Sequence, residues 1–209
     1  MITFDAAKYD GFIFDCDGTL ADTMPLHYQA WNETLTLKLG RPSDFTESMF
    51  YRFGGMPPRE IVERLNRDFG YGLPVDKTAH DKEMRFLELL PGIAPVQEVV
   101  DVLNRLGPDA RVAVASGGQT DIVRQTLTLL GLPVGPKEKI KFIVGNDQVL
   151  RGKPEPDIFL RAAELLDVDP KRCLVFEDAT PGFLAAAAAG MDHIDVRPFR
   201  ANLSAAAKY

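Results

Sequence analysis

Five short, predominantly apolar runs punctuate the chain: Gly11 to Phe14, Arg111 to Ala115, Lys141 to Val144, Cys173 to Phe176 and His193 to Val196. Runs of this length, without strict alternation of polar and apolar residues, predict strands buried on both faces. Helical spacing fills the intervals between the later runs. Val96, Val99, Val100 and Leu103 share one face of 95–106, and 121–130 and 156–166 read the same way, the three ending near Gly107, Gly131 and Asp167. An alanine-rich helix follows the fourth run. Strands alternating with helices in this manner predict an α/β fold built on a doubly wound, Rossmann-like parallel sheet.

The interval between the first two runs breaks the rhythm. Roughly ninety residues lie there, where a single crossover helix needs about a dozen, so an inserted domain is expected. Its pattern is helical: 27–39; then 57–69 with Ile61, Val62, Leu65 and Phe69 on one face; then 76–90 with Met84, Leu87 and Leu90. The predicted division is a core of residues 1–21 and 92–209 and an inserted helical domain of residues 22–91, with Asp22-Thr23 and Pro91-Gly92 as hinges. The tail from Ser204 to Ala207 is expected to fray.

Composition narrows the partners. The 209 residues, 45% hydrophobic and 26% charged, suffice for one full domain and a smaller one. A formal net charge of −6, with Lys and Arg scattered, leaves no basic stripe for a nucleic acid. No apolar run approaches the length of about 18 residues that a membrane helix needs. Cys16 and Cys173 stand alone, without metal-ligand spacing, and are expected to be small buried residues in a reducing, cytoplasmic protein. A monomer or weak dimer is expected.

Ligands of open α/β sheets bind beyond the carboxyl ends of the strands. The residues in those places form a coherent set. Asp15 and Asp17 follow the first run, Ser116-Gly117-Gly118 the second, Gly145-Asn146-Asp147 and then Lys153 the third, and Glu177-Asp178 the fourth. A turn at Gly18 would let both aspartates address one site. Clustered carboxylates repel unless a cation lies between them, and hard oxygen donors without His or Cys select Mg²⁺, which makes Asp15, Asp178 and Glu177 metal candidates. Gly117 and Gly118 open a helix whose N-terminus can receive a phosphate-sized anion, Ser116 adds a hydroxyl, and Lys153 offers a point charge for a phosphoryl group.

The string Asp15-Cys16-Asp17-Gly18-Thr19, with Val114-Ala115-Ser116-Gly117, Gly152-Lys153-Pro154 and Phe176-Glu177-Asp178 in that order, resembles the four motifs of the haloacid dehalogenase superfamily. The resemblance spans nearly the whole chain and is to the branch of β-phosphoglucomutase-like enzymes and sugar phosphatases, which carries a helical cap where this chain has its insertion. It implies that Asp15 attacks phosphorus and forms an aspartyl-phosphate, and that Asp17 protonates the leaving oxygen and then activates the acceptor. It implies Mg²⁺ on Asp15, the main-chain carbonyl of Asp17, Asp178 and Glu177. Ser116 and Lys153 would grip phosphoryl oxygens and Thr19 would steady the loop. Haloacid dehalogenation itself is disfavoured, because the dehalogenases lack Asp-Gly-Thr.

Three readings follow from the resemblance. The mutase pattern in the cap, a Lys-Gly pair followed shortly by Ser-Arg, is replaced here by Phe53-Gly54-Gly55-Met56-Pro57-Pro58-Arg59. A phosphatase transferring to water from a small phosphorylated metabolite, such as a hexose phosphate, is therefore expected ahead of a β-phosphoglucomutase-like isomerase. A catalytically silent scaffold is the remote third. His27, in a stretch similar to the post-motif helix of that branch, is a candidate to assist Asp17 or contact substrate, and Arg52 and Arg59 are candidates for substrate recognition.

Overall fold

A computed structural model describes residues 1–53 and 56–200. The described chain forms two compact units, one of Met1–Asp22 and the chain from Ala94 onward, the other of Thr23–Ile93. In chain order the elements are β1 (Gly11–Phe14), α1 (Met24–Leu39), α2 (Glu47–Arg52), α3 (Pro58–Phe69), α4 (Val75–Leu89) and α5 (Gln97–Arg105). Then follow β2 (Arg111–Ala115), α6 (Thr120–Leu129), β3 (Ile140–Val144), α7 (Asp157–Leu166), β4 (Cys173–Glu177), α8 (Thr180–Ala188) and β5 (Asp192–Asp195).

The first unit is a five-stranded sheet of order β3-β2-β1-β4-β5 in which every pairing is parallel. β1 lies at its centre and all four of its residues are buried, which is why it reads as a continuous apolar run. Register matters most for function. Phe14 pairs with Val114 on one side and Phe176 on the other, so β1, β2 and β4 end nearly level, and the residues after them meet at one edge. One face of the sheet packs Ile13, Ala113 and Val175 against Ile158, Phe159 and Ala162 of α7 and Ala185 and Ala186 of α8. Phe14 and Phe176 stack with ring centroids 4.4 Å apart. Each buried phenylalanine contributes about 1.5–3 kcal/mol, so the framework beneath the edge is stiff.

The strand boundaries follow the predicted runs to within a residue or so. β5 departs most, because it is an edge strand with Asp192 and His193 exposed and lacks the doubly buried signature. Val196, expected as its last residue, is buried beyond it, at the entry to a 3₁₀ turn over Arg197–Phe199.

The second unit is helical. Trp31 and Leu35 of α1 pack with Phe45, Phe50, Ile61, Val62, Leu65 and Leu73. Phe69, expected on the buried face of α3, is partly exposed and stacks on Tyr71. The expected face of α4 also needs correction. Met84 is 47% exposed, and the helix instead buries Thr78, Ala79, Lys82 and Phe86. A buried lysine on that face hides it from a count of apolar residues. The six-residue α2 is too short to show periodicity; its N-terminus is set by Thr46, whose hydroxyl accepts the Met49 N–H at 3.3 Å.

Candidate active site

Asp15 leaves β1 still paired to the sheet, its N–H donating to the Phe176 carbonyl at 2.9 Å. The chain then turns tightly: the Cys16 carbonyl receives the N–H groups of Thr19, Leu20 and Ala21, and Gly18 N–H donates to the Ala21 carbonyl. Gly18 has φ +85°, and a Cβ there would overlap the carboxylate of Asp178. Only glycine meets both demands. The turn brings the two aspartates to one edge, Asp15 toward Lys153 and Asp17 toward Ser116.

Asp15 is 5% exposed, and its Oδ1 accepts Lys153 Nζ at 2.7 Å. The same ammonium donates to Glu177 Oε1 at 2.9 Å and to the Ala115 carbonyl at 3.2 Å, and it lies over the Phe159 ring. Lys153 is thus a central cation held by three acceptors from three strand ends. Glu177 Oε2 receives the N–H groups of Asp178 and Ala179 at 2.6 and 3.2 Å, just ahead of α8. Room for this carboxylate depends on Gly182, where a Cβ would overlap it.

Carboxylate oxygens of Asp15, Glu177 and Asp178 all lie within 4.8 Å of one another. Burial, reinforced by Glu177, pushes the Asp15 carboxyl up to about 8, while Lys153 pulls the other way. Burial and the neighbouring Glu177 and Asp15 push Asp178 well above the usual carboxylate range. Burial works against the Lys153 charge too, but Asp15 and Glu177 outweigh it and raise its pKa. An all-oxygen cluster in which Asp15 and Asp178 resist ionising fits a divalent cation.

Ser116 is fully buried; its hydroxyl accepts the Gly118 N–H at 3.1 Å and donates to Asp17 Oδ2 at 3.4 Å. At the start of α6 the Thr120 N–H is already held by Asp147 Oδ1 at 2.7 Å, so that helix terminus carries a carboxylate of its own. Thr19 is buried in the loop, with no hydrogen-bond partner for its hydroxyl among the described residues.

The remaining candidates belong to the helical unit. His27 stacks on Phe86 at 3.8 Å, and its Nδ1 lies 2.8 Å from Lys82 Nζ. Lys82, 3% exposed, also pairs with Glu83 and lies over the Trp31 ring. Arg59 pairs with Asp76 on the surface, and Arg52 is exposed in the last turn of α2. Gly54, where the mutase pattern has its lysine, lies outside the described residues. Lys82 escaped sequence reasoning because Asp81-Lys82-Glu83 reads as a solvated face; the one signal was its i, i+4 relation to Thr78 and Phe86. Arg200 escaped it as well. It donates to Asp178 Oδ2 and to Asp22 Oδ1, each at 3.0 Å, and no motif surrounds it.

Comparison with known proteins places the chain in a family. Residues 9–190 match the family model of haloacid dehalogenase-like hydrolases. Fructose-1-phosphate phosphatase YqaB of Escherichia coli is 36% identical over 195 residues, covering 91% of this chain and 97% of that protein. A phosphorylated carbohydrates phosphatase of Thermotoga maritima is 31% identical, covering 88% of this chain and 83% of that one. Among solved structures, β-phosphoglucomutase from Clostridium difficile superposes with a TM-score of 0.71 at 27% identity, covering 90% of this chain and 84% of that one. The chain therefore belongs to the haloacid dehalogenase-like hydrolases, as a phosphoric monoester hydrolase in the branch of sugar phosphatases and β-phosphoglucomutase-like folds.

Proposed function

We propose that the protein is a Mg²⁺-dependent phosphatase that hydrolyses a small phosphorylated carbohydrate through an aspartyl-phosphate on Asp15. The observation that carries this reading is the buried Asp15 carboxylate, held by Lys153 inside the Asp15, Glu177 and Asp178 cluster, with Asp17 two residues on against Ser116. The names of relatives that act on fructose 1-phosphate and phosphorylated carbohydrates support the substrate class. The buried free cysteines Cys16 and Cys173 support a reducing, cytoplasmic setting.

In this mechanism an Asp15 oxygen attacks phosphorus, the ester P–O bond breaks, and Asp17 gives its proton to the departing sugar oxygen. Asp17, now a carboxylate, takes a proton from water as the water oxygen attacks phosphorus, releasing inorganic phosphate and restoring Asp15. Lys153 and Ser116 hold phosphoryl oxygens, with Gly117 and Thr19 shaping the loops that face them. Asp15, the main-chain carbonyl of Asp17, Asp178 and Glu177 would hold Mg²⁺, which when bound supplies positive charge to the transferring phosphoryl group. The helical unit is assigned the choice of substrate, with His27, Arg52 and Arg59 as its contacts; His27 is held in place by its stacking on Phe86 and its contact with Lys82.

The likeness to β-phosphoglucomutase keeps a second reading in view, return of the phosphoryl group to another hydroxyl of the same sugar. A panel of phosphorylated metabolites assayed for released phosphate separates them. The phosphatase reading expects Mg²⁺-dependent release from one or more sugar phosphates. Conversion of β-glucose 1-phosphate to the 6-phosphate without free phosphate would establish the mutase, and silence across the panel would leave a binding scaffold.

A further inference from the structure

The acidic edge is served by a second buried cation that the catalytic scheme does not use. Arg200 follows the 3₁₀ turn at Arg197–Phe199 and has a side chain only 5% exposed. Its Nη1 donates to Asp178 Oδ2 at 3.0 Å and its Nη2 to Asp22 Oδ1 at 3.0 Å, so the planar fork spans two carboxylates from different segments. Its Nε is buried without a partner among the described residues, an unfavourable arrangement for an ordinary structural ion pair. Both ends of the brace are fixed. Arg197, just upstream, forks onto Asp195, and the Asp22 N–H donates to the Ala94 carbonyl where the chain leaves this unit and returns.

Asp178 is confined from two sides, by Arg200 on Oδ2 and by the bare Gly18 Cα against which a Cβ could not fit. The same carboxylate offers an oxygen to the cluster with Asp15 and Glu177. Five carboxylates, Asp15, Asp17, Asp22, Glu177 and Asp178, thus stand against two cations, Lys153 and Arg200, which leaves the edge an excess of acidic groups for a cation to offset.

We propose that Arg200 is a positioning residue for the metal site: by bridging Asp178 to Asp22 it fixes the Asp178 carboxylate for a divalent cation and sets the affinity for it. This rests on the reading of the acidic cluster as the Mg²⁺ site. Carboxylates that ligate metals are themselves held by hydrogen bonds, and loss of such a partner typically costs about 10–100-fold in metal affinity.

The test is calorimetric titration of Mn²⁺ and Mg²⁺ into the chelator-treated full-length protein. Wild type should bind one ion, and Asp178→Ala should abolish binding; absence of wild-type binding overturns the site reading itself. Given that binding, Arg200→Met should weaken it at least about tenfold. Arg200→Lys, which keeps the charge but loses the planar two-pronged fork, should fall between. Asp22→Ala removes the far anchor, the acceptor of the Arg200 Nη2 bond, and should weaken binding a few-fold, so it remains informative if Arg200→Met fails to fold. Unchanged or tighter binding in a folded Arg200→Met, or in Asp22→Ala if Arg200→Met does not fold, overturns the proposal, as does Arg200→Lys matching wild type.

Discussion

In the proposed mechanism the chemistry turns on Asp15 and Lys153, and each yields a separable prediction. Asp15→Asn is isosteric and leaves Lys153 its contacts with Glu177 and the Ala115 carbonyl. The variant should fold, yet lose at least about three orders of magnitude in turnover, measured as phosphate release. Asp17→Asn, which removes the proposed proton donor, should lose about 10²–10⁴-fold. Lys153→Met should act on stability as well, because it strands Asp15 and Glu177 together in a buried site; breaking such a pair typically costs about 3–5 kcal/mol, readable by denaturant unfolding. The residues after the strands were legible in sequence because a nucleophile loop must be a contiguous string at a strand end. Lys82 and Arg200 were not, because each gains its meaning only from partners far along the chain, His27 for one and Asp22 and Asp178 for the other.

Among the elements, the strands and the loops they launch carry the precision of the site, and α8 shows how closely helix and site are fitted. Gly182, in its first turn, gives Glu177 the space to reach both Lys153 and the amides of Asp178 and Ala179. Gly182→Ala should therefore displace Glu177, lowering activity and costing about 1–3 kcal/mol of stability; unaltered kinetics and melting would show that the carboxylate is free to move. The central strands could be placed from the sequence because burial on both faces demands unbroken apolar runs. Periodicity served less well at β5, half exposed at the sheet edge, and on α4, where the buried face holds Lys82 in place of the expected Met84. The short α2 left no signal at all.

For the whole molecule, the raised Asp15 and Asp178 couple folding to pH and to the cation. A carboxyl with a folded pKa above its unfolded value keeps its proton in the folded chain after the unfolded chain has released it. Stability of the chelator-treated protein should thus fall as pH rises from about 4 toward about 8, by on the order of a few kcal/mol. Mg²⁺ should raise the melting temperature more at pH 8 than at pH 5. A chelated protein that gains stability across that range would show the cluster to be compensated without a cation. The long interval between the first two strands is the sequence feature that predicts an inserted domain, whereas the substrate was not legible, since selectivity rests on side-chain arrangement rather than on a motif.

The most direct measurement is chemical trapping of the intermediate. Protein turning over a sugar phosphate with Mg²⁺ is quenched and treated with borohydride, which reduces an aspartyl-phosphate to homoserine, and its peptides are then analysed by mass spectrometry. The predicted result is homoserine at position 15, dependent on substrate and absent from Asp15→Asn. Steady phosphate release with Asp15 unmodified, or with the reduced residue elsewhere, would contradict the account.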